Sequence, residues 1–253
     1  MTAPPSLSNH PNYGIDAPRT VRNFLLLGCG LLAAGFIAFV ILRDYSPGLA
    51  VTLANMGGWP GISFLFTGLI MIWGSKIGKF RLRDQLLDQI PWRGDEQVLD
   101  VGCGHGLLLI GASKRLKTGK AIGVDLWQQE DQANNSAAAT LENARLEGVA
   151  ERVEVKDGDA RKLPFPDASF DVVVSSWAIH NIYDQPGRTQ ALREIVRVLK
   201  PSGHIAMLDI SHTAEYVQVF KECGLLGVCR PWSSFVFVIP TYAVTGRKSA
   251  HGG

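Results

Sequence analysis

The residues best suited to chemistry lie in three short runs. The first is Val98–Gly106, VLDVGCGHG, where an apolar lead carries Asp100 and is followed by Gly102, Cys103, Gly104, His105 and Gly106. Alternate glycines let backbone N–H groups come close to a ligand, because Gly lacks a Cβ and tolerates positive φ. The second is Asp125, about twenty residues past the glycine turn, the spacing at which an acidic side chain accepts from ribose hydroxyls. The third is Ser175–Asn181, SSWAIHN, which carries Ser175, Trp177 and His180. Together they suit a nucleotide-type ligand held on backbone donors and carboxylates.

The elements that must position these groups follow from the apolar pattern. Strands are expected at Gln97–Val101, Lys120–Asp125, Val153–Lys156, Phe170–Ser175 and His204–Asp209. Helices are expected at His105–Leu116, Asn134–Glu147, Gly187–Leu199 and Thr213–Cys223, and a last strand pair at Val228–Phe235 and Phe237–Gly246. Such alternation makes a mainly parallel sheet with helices on both faces, closed by a C-terminal antiparallel hairpin. Ligands of doubly wound sheets bind beyond the carboxyl ends of the strands, where the three runs fall.

The N-terminal third is different. Residues 1–20 are rich in Pro, Ser and Asn and predict a disordered lead-in. Phe24–Leu42 and Leu49–Trp73 carry no charge. One helix across both would be about 75 Å long, against a hydrocarbon core about 30 Å thick. Two spans joined at Arg43–Gly48 avoid that mismatch. A signal peptide is disfavoured, since no small-residue cleavage site follows and a second apolar run does. Asn55, Gly57, Gly58, Pro60 and Gly61 interrupt the second span and predict a kink or a re-entrant segment. Arg19 and Arg22 precede the first span and Lys76, Lys79, Arg81 and Arg83 follow the second. Basic flanks of this kind put both termini on the cytoplasmic side. Ser75–Ile90 has Leu82, Leu86, Leu87 and Ile90 at helical spacing, either a helix packed on the following domain or a membrane-surface helix roofing a lipid-facing pocket. The expected organisation is a lead-in over 1–20, two spans over 21–74 (about 24–42 and 49–73), an amphipathic linker over 75–94 and a catalytic domain over 95–248.

Bulk charge is +2, which gives no reason to expect a nucleic-acid partner. Cys29, Cys103, Cys223 and Cys229 form no CxxC pair, so neither a metal site nor a disulfide framework is expected.

Over Val98–Lys248 the chain resembles the class I S-adenosylmethionine-dependent methyltransferases. Asp100, Gly102, Gly104 and Gly106 match the D-x-G-x-G-x-G motif, Gly123–Asp125 the acidic strand end, Gly158–Ala160 with LPFPDASFD over Leu163–Asp171 a third motif, and EIVRVLKPSG over Glu194–Gly203 a fourth. The pattern is closest to the branch holding quinone and sterol methyltransferases. The resemblance implies a Rossmann-like, mostly parallel, seven-stranded sheet, with S-adenosylmethionine as cofactor. It implies that the three glycines pass the methionine part, that Asp100 holds its ammonium, and that Asp125 binds the ribose hydroxyls. Leu126 or Trp127 would pack on adenine, Asp159 would accept from its amino group beside Ala160 N–H, and Cys103 and Ser175 complete the cofactor set. His180 is the candidate base and Trp177 the candidate wall of the methyl channel, with His212, Glu215 and Tyr216 as further residues near the acceptor. A nicotinamide site is excluded by the G-x-G-x-G spacing, which departs from G-x-G-x-x-G.

The expected activity is methyl transfer to a small or lipophilic acceptor, with the lipid bilayer as a partner. Alternatives are a soluble thiol or metalloid acceptor, with the hairpin a mere tether, a non-catalytic S-adenosylmethionine-binding regulator, and a methyltransferase acting on protein.

Overall fold

A computed structural model describes residues 10–127, 135–236 and 238–250. The chain divides into two compact units. One holds Ile15–Gly78 with Val236–Val238; the other holds Met1–Gly14, Lys79–Phe235 and Ile239–Gly253.

The first unit is a helical hairpin. Helix α1 (Pro18–Leu42) and helix α2 (Pro47–Trp73) each begin with Pro at the first turn, where its missing N–H costs nothing. They pack antiparallel through small residues. A Cβ on Gly57 would strike the Leu31 carbonyl, and one on Gly61 would come 3.0 Å from the Gly28 carbonyl. Close backbone approach through glycine is how apolar helices associate where no water drives them together. The outer faces carry Leu26, Phe36, Ile37, Trp59 and Phe66, all exposed. Helix α2 runs unbroken through Pro60, so no re-entrant segment forms. A π-helical turn (Gly74–Gly78) follows it.

The second unit begins its continuous course with α3 (Lys79–Leu87). Leu82, Leu86, Leu87 and Ile90 are buried, and a Cβ on Gly111 would come 2.9 Å from Leu87 Cδ1. The apolar stripe of the linker is therefore used up on the domain, and its roofing role is corrected: that face is not available to lipid.

The sheet contains β1 (Gln97–Val101), β2 (Lys120–Asp125), β3 (Val153–Asp157), β4 (Phe170–Ser176), β5 (Leu199–Asp209), β6 (Leu226–Cys229), β7 (Ser233–Ser234) and β8 (Thr241–Arg247). Its order is β3-β2-β1-β4-β5-β8-β6, with β7 also on β8. The first five strands are parallel and β8 runs antiparallel to β5. The edge strand expected as one piece over Val228–Phe235 is thus two pieces, β6 and β7, both paired to β8. Pro231, which has no N–H for a ladder, lies in the gap. Helices α4 (Leu107–Ser113), α5 (Ala137–Leu146), α6 (Gln185–Val198) and α7 (Thr213–Glu222) join the strands. The core is built from Leu99, Val173, Leu192, Ile195, Ile205, Met207 and Phe220. Asn134 and Phe237, expected at element starts, lie outside the described residues.

The lead-in also differs from expectation. Residues 1–9 lie outside the described residues, but Asn12–Gly14 is stitched to the catalytic unit and Pro18–Thr20 already belongs to α1. Lys79 is 1% exposed, and its ammonium donates to the carbonyls of Tyr13 at 2.8 Å and Gly14 at 3.3 Å. Tyr13 stacks edge-on against Phe80 and donates its hydroxyl to Glu147 Oε1 at 3.0 Å. A buried ammonium must be paired, and the partner it finds lies 66 residues earlier in the chain, beyond the reach of local composition.

Candidate active site

Strands β1, β2, β4 and β5 end on one edge of the sheet, and the expected site residues gather there. The turn after β1 is held down by Gly102 and Cys103, whose N–H groups both donate to the Val124 carbonyl, at 2.8 and 3.2 Å. Gly102 has a φ of 72°, and a Cβ there would run into Ala178. Only glycine meets both demands. Gly104 and Gly106 also have positive φ, and Gly106 is the N-cap of α4.

Asp100 is 1% exposed. Its Oδ2 accepts from Leu109 N at 2.8 Å, and its Oδ1 has no partner. Burial pushes its pKa up to about 8, with the nearby Asp125 charge adding to the rise and the Leu109 N–H opposing it. An orphaned, buried carboxylate oxygen beside a glycine cradle fits an incoming cationic donor.

Asp125 ties the edge together. Its Oδ2 accepts from Gly104 N at 2.8 Å, and its Oδ1 accepts from Trp127 N at 2.7 Å and Asn135 Nδ2 at 3.2 Å. Thr140 fixes the same turn from α5, donating to the Gly104 carbonyl at 2.5 Å. Asn143 donates to the carbonyls of both His105 and Asn12, at 3.0 Å each, and accepts from Asn12 N at 2.8 Å. The glycine turn is therefore bonded, through one amide, to the segment that leads into α1.

Other expected cofactor residues are placed differently. Ser175 is buried and donates to the Val101 carbonyl at 2.7 Å, so its hydroxyl joins two strand ends and is not offered to a ligand. Cys103 is buried against Gly123, and burial pushes its thiol up. Its side chain fills space, and its backbone N–H is spent on the Val124 carbonyl. Asp159 is taken by Arg161, whose guanidinium and N–H lie at 2.6 and 2.8 Å and hold the carboxyl below its usual range. Its four acceptor sites leave room for a further donor. Ala160 packs on the core. Leu126 is exposed, and Trp127 donates its indole N–H to Asp157 Oδ1 at 2.6 Å.

His180 sits in a 3-10 turn (Ile179–Asn181) after β4. Its Nδ1 lies 2.6 Å from Asp209 Oδ1, and its backbone N–H donates to Asp209 Oδ2 at 3.3 Å. Asp209, 1% exposed at the end of β5, also accepts from Ile210 N at 2.8 Å and from the Tyr216 hydroxyl at 2.9 Å. Tyr216 is fully buried, and burial together with the Asp209 charge pushes its hydroxyl above the usual range, so it stays a donor. Trp177 has a φ of 50° and donates its N–H to the Leu208 carbonyl at 2.9 Å, which fixes the loop before His180. Glu215 pairs with Arg188 at 2.9 Å and Tyr216 with Asp209, so neither faces outward as expected. His212, at the start of α7, is 3.9 Å from Glu215. Asp209 is the group sequence reasoning passed over. A carboxylate closing an apolar strand, as at Asp100 and Asp125, is the signal that marks it.

Residues 99–207 match the family described as a methyltransferase domain. The chain is 36% identical over 132 residues to 27-O-demethylrifamycin SV methyltransferase of Amycolatopsis mediterranei, covering 51% of this chain and 44% of that one. It is 30% identical over 167 residues to demethylmenaquinone methyltransferase of Symbiobacterium thermophilum, covering 66% and 61%. The chain thus spans less than two thirds of either relative. Its fold is that of a SAM-dependent methyltransferase from Aquifex aeolicus, with a TM-score of 0.51 at 23% identity, covering 69% of this chain and 97% of that one.

Proposed function

We propose that the chain, whose residues 99–207 match the methyltransferase-domain family and whose cofactor is S-adenosylmethionine, is a membrane-anchored methyltransferase acting on a small or lipophilic acceptor that gives up a proton. The observation that carries this reading is a single sheet edge bearing both the glycine turn, with Asp100 and Asp125, and the His180–Asp209 pair.

When bound, S-adenosylmethionine supplies a methyl group already activated on a sulfonium. The free Asp100 Oδ1 would take its ammonium, the turn at Gly102–Gly106 its methionine part, and Asp125 its ribose hydroxyls. Leu126 and Trp127 would flank the adenine, with Asp159 accepting from its amino group. What remains for the protein is alignment and one proton. Alignment of reacting groups is worth about 7–11 kcal/mol. With Asp209 Oδ1 2.6 Å from His180 Nδ1, the carboxylate would favour the tautomer with its proton on Nδ1, which leaves the lone pair on Nε2. That nitrogen takes the acceptor's proton, and the imidazolium so formed is held by the buried Asp209 carboxylate. Trp177 lines the path.

Helices α1 and α2 are read as two spans with the catalytic domain on the cytoplasmic side. Arg19 and Arg22 in the first turns of α1, and Lys76 and Arg81 after α2, are exposed, whereas the turn offers only Arg43 beside Asp44. The exposed apolar side chains of both helices support lipid as their solvent. The relatives' named acceptors, demethylmenaquinone and 27-O-demethylrifamycin SV, support a lipophilic acceptor.

The test is turnover of labelled S-adenosylmethionine by the full chain in nanodiscs, with membrane lipid extract and soluble extract offered separately. Label in a lipid product that falls when residues 18–73 are replaced by a flexible linker, leaving Asn12–Gly14 on Lys79 and Asn143, is the expected result. Label only in a soluble product makes the hairpin a tether. Cofactor binding with no label in either fraction refutes the acceptor class.

A further inference from the structure

Between β7 and β8 the sequence reads FVFVIP over Phe235–Pro240, five apolar residues in a row with no charge. Turn chemistry favours Gly, Asn or Asp in such a connection. Here Val238 holds a φ of 72°, a region that is costly for a β-branched residue. Phe235 is 67% exposed, Val238 44% and Ile239 48%. Neither turn geometry nor burial accounts for these residue types. Phe237 lies outside the described residues and carries none of the argument.

The surroundings of the loop point to its solvent. Val236–Val238 cluster with the helical hairpin, apart from the sheet that flanks them in sequence. Val236 packs on Gly78, which closes the π-helical turn after α2; a Cβ on Gly78 would collide with Val236 Cγ1. The same end of α2 exposes Trp73, Ile77 and Lys76, the amphipathic, aromatic and basic residues that collect at a membrane–water boundary. The loop also begins and ends on the catalytic edge of the sheet. Ser234 pairs with Thr241, and Tyr242 stands opposite Asp209 on β5.

We propose that Phe235, Val238 and Ile239 insert into the phospholipid leaflet at the cytoplasmic end of α2, as a third membrane contact besides the two spans. The proposal rests on the anchored reading above and adds a surface that reading does not need.

The test is photocrosslinking of the full chain in phosphatidylcholine/phosphatidylglycerol nanodiscs that carry a diazirine on the phospholipid acyl chain, with adducts mapped by mass spectrometry. Adducts are expected on α1, on α2 and on the peptide holding residues 235–239. In a Val238→Asp/Ile239→Asp variant the loop adducts should fall about tenfold, since a carboxylate is disfavoured at a lipid boundary, while span adducts and S-adenosylmethionine affinity stay unchanged. Adducts on the spans with none on the loop overturn the proposal and leave the anchor standing. Absence of adducts on the spans overturns the anchor and the proposal with it. Loop-to-loop crosslinks between two copies, without lipid adducts, overturn the proposal in favour of a homotypic contact.

Discussion

Replacing Asp209 by Asn separates the base from the scaffold. In the parent, Asp209 accepts from the His180 backbone N–H, Ile210 N and the Tyr216 hydroxyl, and its Oδ1 lies 2.6 Å from His180 Nδ1. An Asn has one acceptor oxygen and one donor nitrogen in the same volume. With its oxygen in the Oδ2 position it keeps the His180 N–H and the Tyr216 hydroxyl, while its NH₂ takes the Oδ1 position and Ile210 N loses its acceptor. Its NH₂ then faces His180 Nδ1 and selects the tautomer that carries the proton on Nε2, which cannot take one from the acceptor. The loss should equal what a positioned general base contributes, about 10²–10⁴ in kcat, or roughly 2.7–5.4 kcal/mol of barrier. The assay is single-turnover methyl transfer from labelled S-adenosylmethionine, read beside the cofactor's Kd and the acceptor's KM. Both equilibrium constants should hold, because nothing in the glycine turn moves. His180→Ala should give the same rate, and the double variant should be no slower than either single one. If both variants retain kcat to within about threefold, no base contribution of this size exists, and alignment alone carries the reaction.

Four further outcomes are expected. Burial holds the Asp100 carboxyl at about pH 8, so the cofactor-free protein keeps it largely protonated at pH 7 and binding a cationic ligand should release a proton; calorimetry in buffers of different ionisation enthalpy measures this, and the release should vanish in Asp100→Asn. Because that pKa is raised on folding, the parent loses stability as pH climbs from the unfolded carboxylate range through about 8, and Asp100→Asn should not, which thermal unfolding at pH 5 and pH 9 compares directly. Asn143→Ala removes three hydrogen bonds to Asn12 and His105 and should cost about 1–3 kcal/mol, weaken cofactor binding, and open residues 10–17 to limited proteolysis. Gly102→Ala, which drives a methyl into Ala178 at positive φ, should abolish cofactor binding while the isolated fold survives by circular dichroism.

What the sequence made legible was local. The glycine turn, and the carboxylates ending β1 and β2, announce themselves because strand, turn and helix are contiguous there. His180 was legible as an imidazole past a strand, but not its partner: Asp209 lies 29 residues on, and only the parallel pairing of β4 with β5 brings them together. Asn12 meets Asn143 across 131 residues, so a segment with the composition of a disordered tail is in fact held. Ser175 illustrates the converse. Its position at a strand end is that of a ligand contact, yet the neighbouring Val101 carbonyl needed a donor and took the hydroxyl. Phe235, Val238 and Ile239 read as strand ends because aromatic and β-branched residues suit a sheet, yet β7 ends at Ser234 and β8 begins at Thr241.

The clasp between Lys79 and the carbonyls of Tyr13 and Gly14 has a consequence for parity if the hairpin crosses a membrane. Those groups bracket the entire hairpin, and they touch. A chain that leaves a point and returns to it must cross any sheet-like barrier an even number of times, whatever the charges of its loops dictate. An odd number would require the clasp to span the barrier itself. The insertion between Gly14 and Lys79 is therefore a detour with a closed gate. Cutting it at the Arg43–Ser46 turn would free neither arm, since each remains tied to the catalytic unit at its base.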